Sequence, residues 1–257
     1  MVILKEMINL LLSCLIKNVF FPENKLGGWC MSLNIELKNQ LKSSILDLNL
    51  PENPYFKSLT SGEMTHEQFL NSQLEFASMV YFFSRPMAQI IANISDPISR
   101  IALVGNLWEE HGQGIKENVH GNTILTLIER LGGDISSIDL QNPPPNARIF
   151  NEALRGVSAF CDFRFAASMY AGIERTFVDV SCMIFEAITK EGWLPEDKIT
   201  HYGLHRELDI EHSEDFLKVV NQYWDEPKYQ FMIKEGIKFG CQLFANAYVG
   251  FYRSMGK

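Results

Sequence analysis

The sequence predicts an all-α fold. From Asn34 onward, apolar residues recur at the three- and four-residue spacings of helices, and the strict alternation typical of half-buried strands is rare. Residues that favour helix ends stand at the borders of these periodic segments. Because 46% of the 257 residues are hydrophobic, the chain can bury a full core, and its length suits one domain.

The first clear helix begins at a capping box. Thr65 and Gln68 have the spacing at which each side chain bonds the backbone N–H of the other, and an apolar segment follows as far as Ile94. Pro86 lies inside this segment and removes one helical hydrogen bond. We therefore expect a long helix with a kink at Pro86.

Two shorter helices should follow. Asp96 as N-cap and Pro97 at the first helical position predict a helix that ends near His111. A second helix is predicted over residues 122–131, where two glycines end it. The polar stretch that continues to the three prolines at 143–145 is the clearest loop.

The second half of the chain predicts three long helices. The segment 158–190 is apolar on all sides, which is typical of a helix at the centre of a bundle. Helices over 200–224 and 227–255 should pack around it.

The composition favours a small-molecule ligand and a reducing compartment. The net charge of −8 argues against nucleic acid or an anionic membrane as partner, since both demand clustered lysine and arginine. The five cysteines are odd in number and widely spaced, which disfavours a disulfide framework. We expect a cytoplasmic protein.

Residues 1–30 are predicted to be an N-terminal extension of a domain over 31–257. The apolar run 8–16 follows Lys5 as in a secretory signal, but no good cleavage site follows it. The run is also shorter than the about 20 residues of a membrane span. We expect either a true start at Met31 or a poorly ordered extension.

The strongest candidate for chemistry is one helix face. His205, Asp209 and His212 lie at offsets of 0, 4 and 7, which stacks them over two helical turns. Imidazole and carboxylate together suit iron, manganese or zinc. A solvated helix face is the alternative for this segment taken alone.

Glu174 lies in the most apolar helix, where an ionised carboxylate needs a partner. Arg175 points about 100° away from it around the helix. A metal ion is the simplest partner, and an ion pair with Arg164 or Arg206 is the alternative.

A third source of ligands lies at the junction of two predicted helices. Glu110 and His120 are ten positions apart, with glycines between them that allow the two side chains to converge. Glu117 and His120 form an E-x-x-H pair, a spacing used in di-iron bundles, so Glu117 rivals Glu110. Together the three segments suggest two divalent ions. The candidate ligands are Glu110, His120, Glu174, His205, Asp209 and His212.

These motifs resemble those of the haem-oxygenase-like di-iron oxidases and oxygenases, relatives of the Chlamydia protein associating with death domains within the wider TenA and pyrroloquinoline quinone synthase fold. That family has a Glu and a His on early helices, a Glu in a central helix, and then H-x3-D-x2-H, which residues 205–212 match. The segment SGEMTHEQF at 61–69 is similar to a helix start seen across the fold.

The resemblance implies a bundle of about seven helices that forms a homodimer. It also implies that the six candidate residues hold two iron ions, or iron with manganese, and oxidise a small amine, amino acid or fatty acid with O₂. The alternative is a metal-free enzyme or binder of the pyrroloquinoline quinone synthase or TenA type. In that case the polar cluster would be a hydrogen-bonding pocket.

Some members of this family release a fragment of their own tyrosine, and this chain departs from them at two positions. Phe56 aligns with the tyrosine that they sacrifice, and Ile184 stands where they have a lysine. Tyr55 is adjacent to the first of these positions.

Overall fold

The computed structural model describes residues 32–256, apart from the side chain of Glu207. The predicted extension over 1–30 lies outside the described residues. Within them, all regular structure is helical, and nine α-helices are present. They are α1 (Ile35–Leu46), α2 (Pro54–Ser61), α3 (His66–Asn93), α4 (Ile101–Glu110), α5 (His120–Arg130), α6 (Pro145–Phe160), α7 (Phe163–Lys190), α8 (Thr200–Asn221) and α9 (Pro227–Ser254).

The all-α prediction is confirmed, with two helices more than the seven or so expected. The helices α1, α2 and α6 are not among those that the sequence pattern placed individually. None of the described helices is long and apolar enough to cross a membrane.

Helix α7 lies at the centre, as its apolar composition predicts, and packs most extensively against α8 and α9. Glycines allow α7 and α9 to approach closely. A Cβ on Gly240 would overlap the carbonyl oxygen of Met169, and a Cβ on Gly236 would lie 2.6 Å from the carbonyl oxygen of Phe165. The helices α5 and α6 both pack against α3, and α4 packs against α8.

Two predicted helix boundaries are wrong. The helix expected from Asp96 begins only at Ile101, after a turn at residues 97–100 that Asp96 caps by accepting the N–H of Ser99 at 2.7 Å. The helix expected from 158 begins at Phe163, because Asp162 caps it by accepting the N–H of Arg164 at 2.8 Å. In both cases, an aspartate carboxylate caps the turn that follows it.

The capping box of Thr65 and Gln68 is confirmed by both of its hydrogen bonds, at 3.1 and 3.2 Å. Helix α3 continues through Pro86 to Asn93 as one helix. It therefore contributes side chains both to the first part of the bundle and to the wall of the candidate metal centre.

Candidate metal centre

Four helices bring ligand-type side chains together inside the bundle. Helix α4 contributes its last two residues, α5 its first, α7 a residue near its middle, and α8 one complete face. These side chains are Glu109, Glu110, His120, Glu174, His201, His205, Asp209 and His212.

The face of α8 is organised by Asp209. Its Oδ1 lies 2.8 Å from Nδ1 of His205 and 3.7 Å from Nδ1 of His212. All three residues are buried, and so is His201, one turn before His205. The predicted helix face therefore points into the protein, and the alternative of a solvated face is wrong.

Glu110 and His120 converge across the junction of α4 and α5. The Oε2 atom of Glu110 lies 2.6 Å from Nδ1 of His120. The chain reverses between them through a left-handed run at residues 112–114, with φ values of 63°, 53° and 82°. Glu117 is exposed in this loop, so it is Glu110 that the structure places beside His120.

The buried atoms form two groups that could each hold an ion. One ring nitrogen from each of His120, His201 and His205 lies within 4.8 Å of the others, and so do ligand atoms of Glu110, Glu174 and His212. We call these groups the imidazole trio and the carboxylate trio.

Within the described residues, several inward atoms of this cluster have no hydrogen-bond partner. Buried polar atoms in proteins are nearly always paired, and a cluster of such atoms is suited to binding an ion. All but one of these atoms belong to the two trios, and Asp209 supplies the other. They are Oε1 of Glu174, Oδ2 of Asp209, Nδ1 of His212, and Nε2 of His120, His201 and His205. Oxygen and imidazole donors of this kind fit iron.

Glu174 has no arginine partner of the kind considered above. Arg175 pairs with Asp179 at 2.8 Å. Arg164 pairs with Asp162, and the guanidinium of Arg206 stacks on Phe185. Burial, and then the nearby charge of Asp209, raise the pKa of Glu174 well above its usual range. This carboxylate needs a cation that the arginines do not provide.

Glu110 and Glu109, like Asp209, interact with histidines. Burial acts to raise the pKa of Glu110, but the charge and hydrogen bond of His120 outweigh it and lower the pKa to about 2. Burial acts to lower the pKa of His212, but the Glu109 hydrogen bond and the surrounding carboxylates raise it to about 10. The Nε2 of His212 lies 2.8 Å from Glu109, which leaves Nδ1 as its inward atom.

Sequence reasoning missed two members of this cluster. His201 lies four residues before His205 on the same helix face, so its spacing was a usable signal. Glu109 carried no such signal, because only the packing of α4 against α8 shows that it reaches His212.

A small apolar chamber adjoins the two trios. It has a volume of about 30 Å³, and Glu174 and His120 are its only ionisable lining residues among the described ones. Aromatic and aliphatic side chains supply the rest of the wall. They include Phe76, Val80, Phe83, Ile173, Phe177 and Phe244.

Comparisons with known proteins agree with this fold and this donor set. A family described as "Iron-containing redox enzyme" matches residues 73–245. A 4-aminobenzoate synthase from Nitrosomonas europaea is 25% identical over 222 residues, which cover 79% of this chain and 86% of the relative.

Solved structures show the expected haem-oxygenase-like and TenA-like fold. A domain of unknown function with a haem oxygenase-like fold from Shewanella denitrificans has a TM-score of 0.71 at 14% identity, covering 86% of this chain and 92% of its own. A CADD-like protein of unknown function from Nostoc punctiforme gives 0.71 and 14%, covering 86% and 99%. A TenA homologue from Pseudomonas syringae pv. tomato gives 0.66 and 10%, covering 85% and 91%.

Proposed function

Because the chain belongs to the family of iron-containing redox enzymes, we propose that it is a di-iron oxidase or oxygenase that uses O₂ to oxidise a small molecule. One observation carries this proposal: two adjoining groups of buried ligand atoms without hydrogen-bond partners among the described residues. Two groups of three donors suit two divalent ions that keep open positions for other ligands.

The chain's residues would hold iron through the six predicted ligands. His120 and His205 belong to the imidazole trio, and Glu110, Glu174 and His212 to the carboxylate trio. Asp209 lies between His205 and His212, with one oxygen unpaired. Iron bound at both positions would supply electrons to O₂ and oxidising power toward the substrate. Manganese at one position is compatible with the same donors.

Neighbouring residues would orient these ligands. Asp209 accepts from Nδ1 of His205, and Glu109 holds Nε2 of His212, so each ring has a fixed direction. The apolar chamber beside Glu174 excludes water from one side of the site and favours an apolar part of the substrate there. The proposed substrate is a small amine, amino acid or fatty acid.

The test is iron loading without oxygen, followed by exposure to O₂. The parent chain should bind about two Fe(II) ions and develop a transient visible absorption. His205→Ala and Glu174→Ala should bind less iron. Glu110→Gln should do the same, whereas the matched Glu117→Gln, in the exposed loop, should bind as the parent does. Variants at His205 and Glu174 that bind as much iron as the parent would overturn the proposal.

Chelator treatment separates the metal-free alternative. Full activity or ligand binding in iron-free protein would favour chemistry of the TenA or pyrroloquinoline quinone synthase type. Substrate-triggered O₂ uptake, screened with amino acids and fatty acids, would identify the substrate class in the same preparation.

A second candidate product is 4-aminobenzoate, suggested by the name of the Nitrosomonas relative. Phe56 and Ile184 are both buried, and the neighbouring Tyr55 hydroxyl bonds Ser72 at 2.8 Å. Mass spectrometry of the iron-loaded chain after exposure to O₂ and a reductant tests this candidate. A chain that makes 4-aminobenzoate from its own tyrosine would yield both this product and a change in the mass of the chain, and the absence of both would exclude the candidate.

A further inference from the structure

His201 is the one histidine of the α8 face that lies outside the predicted ligand set. Its side chain is fully buried. The rings of Phe76, Phe177 and Tyr202 pack around it on one side, and none of them offers a partner to a ring nitrogen there. On the other side lie His120 and His205, with ring centroids 5.1 and 4.9 Å away.

The hydrogen bond to Thr123 fixes which nitrogen of His201 carries the proton. The Thr123 hydroxyl donates to the carbonyl oxygen of His120 at 2.8 Å, so its own hydrogen is already used. It can therefore only accept from Nδ1 of His201, which lies 2.9 Å away. Neutral His201 then carries hydrogen on Nδ1 and a free lone pair on Nε2.

The same tautomer recurs in the other two rings of the imidazole trio. Nδ1 of His120 faces the carboxylate of Glu110, and Nδ1 of His205 faces that of Asp209, so both donate. All three Nε2 atoms are buried without a hydrogen-bond partner among the described residues. A metal-binding histidine almost always donates its other N–H in this way.

We infer that His201 is a seventh metal ligand, which completes a position of three imidazoles beside a position of two carboxylates and one imidazole. The inference rests on the proposed two-metal function and makes the two positions chemically unequal. Imidazole donors bind Co(II) and Zn(II) better than carboxylates do. Such ions should fill the imidazole position first and the carboxylate position second.

A Co(II) titration of the metal-free chain tests this order. Visible absorption and equilibrium dialysis should show two ions with separate affinities. His201→Phe retains a ring among its aromatic neighbours and should weaken the tighter site about 100-fold, with a changed Co(II) spectrum. Thr123→Val removes the hydrogen bond that positions His201, together with the bond from the hydroxyl to the His120 carbonyl oxygen, and should weaken the tighter site about 10-fold. His66→Phe is the matched control, because that ring packs on Trp193 and should leave both affinities unchanged.

The outcomes distinguish this inference from the proposed function. A parent chain that binds no ion would overturn both. Two ions bound by His201→Phe with parental affinities and spectrum would overturn the role of His201 alone. If that variant does not fold, long-range ¹H–¹⁵N spectra of the parent decide. Zn(II) should shift the Nε2 resonance of His201, and an unshifted resonance would overturn the inference.

Discussion

At the scale of single residues, the centre consists of groups that are costly to bury without an ion. Glu174 shows this most clearly, because its carboxyl is buried near Asp209 and Glu110 and the nearby arginines bind elsewhere. The same residues that would bind metal therefore destabilise the chain without it.

The first prediction concerns Glu174→Gln in metal-free protein. A raised carboxyl pKa means that the folded state loses stability as pH rises above the unfolded value of about 4.5. Removing the carboxyl should raise the free energy of unfolding at pH 7 by about 1–3 kcal/mol, as measured by urea denaturation.

Exposed Glu186 on the same helix is the matched control for this substitution. Glu186→Gln should change the free energy of unfolding by less than about 0.5 kcal/mol. A Glu174→Gln variant less stable than the metal-free parent would contradict the explanation.

The second prediction concerns pH and metal affinity. With its pKa raised to about 10, His212 is protonated at neutral pH and must lose that proton to bind a metal through its inward nitrogen. The raised pKa of Glu174 acts in the same direction, because metal binding requires its ionised form. Metal uptake should therefore release protons, and affinity for Zn(II) should rise from pH 6 to 8. Calorimetry in buffers of different ionisation enthalpy measures the release.

The control for this pH dependence is Glu109→Gln. The Glu109 hydrogen bond is the largest influence that raises the pKa of His212, so its weakening should lower that pKa. Fewer protons should then be released at pH 7. Release equal to that of the parent would show that Glu109 does not keep His212 protonated.

At the scale of helices, the crossing of α7 and α9 fixes the position of Glu174. Gly240 lies against the backbone of Met169 at this crossing, and rigid backbone cannot yield to a new methyl group. Gly240→Ala should lower the free energy of unfolding by about 1–3 kcal/mol, measured by thermal and urea denaturation.

Gly156 in α6 provides the comparison for this third prediction. A Cβ there would meet nothing within 4 Å, so Gly156→Ala should stabilise the helix by about 0.5–1 kcal/mol. Equal effects of the two substitutions would mean that the close approach of α7 and α9 is unimportant.

The helices also show what sequence can predict and where prediction ends. The capping box and the α8 face were predictable, because both depend on residues within two turns of one helix. Asp96 was predicted as a cap, but the turn that it caps precedes the helix itself. Asp162 was missed, because it lies inside a segment whose apolar pattern predicts one continuous helix. Glu109 was unpredictable, since it depends on which helices pack together.

At the scale of the whole molecule, metal binding and folding should be linked. The two trios draw on four separate helices, so the unfolded chain cannot present them together. The fourth prediction is that the melting temperature rises with Fe(II) concentration under anaerobic conditions. The rise should be much smaller in Glu174→Ala, and equal rises in both chains would contradict the linkage.

The expected homodimer stays a prediction, which sedimentation analysis would test. The small-molecule substrate likewise remains a proposal. Both concern features that lie outside a single chain.

The loop between Glu110 and His120 sets the number of residues that separate this acid from this histidine in the sequence. A Cβ at Gly112 would lie 2.6 Å from the backbone at residues 118 and 119, so the loop closes on itself at a glycine with positive φ. A separation of ten between the acid and the histidine is thus built into the backbone. A search of genomes for Glu-x-Gly-x7-His, followed by H-x3-H-x3-D-x2-H, would retrieve other chains. We expect these chains to contain one metal position of three imidazoles and one of two carboxylates and an imidazole.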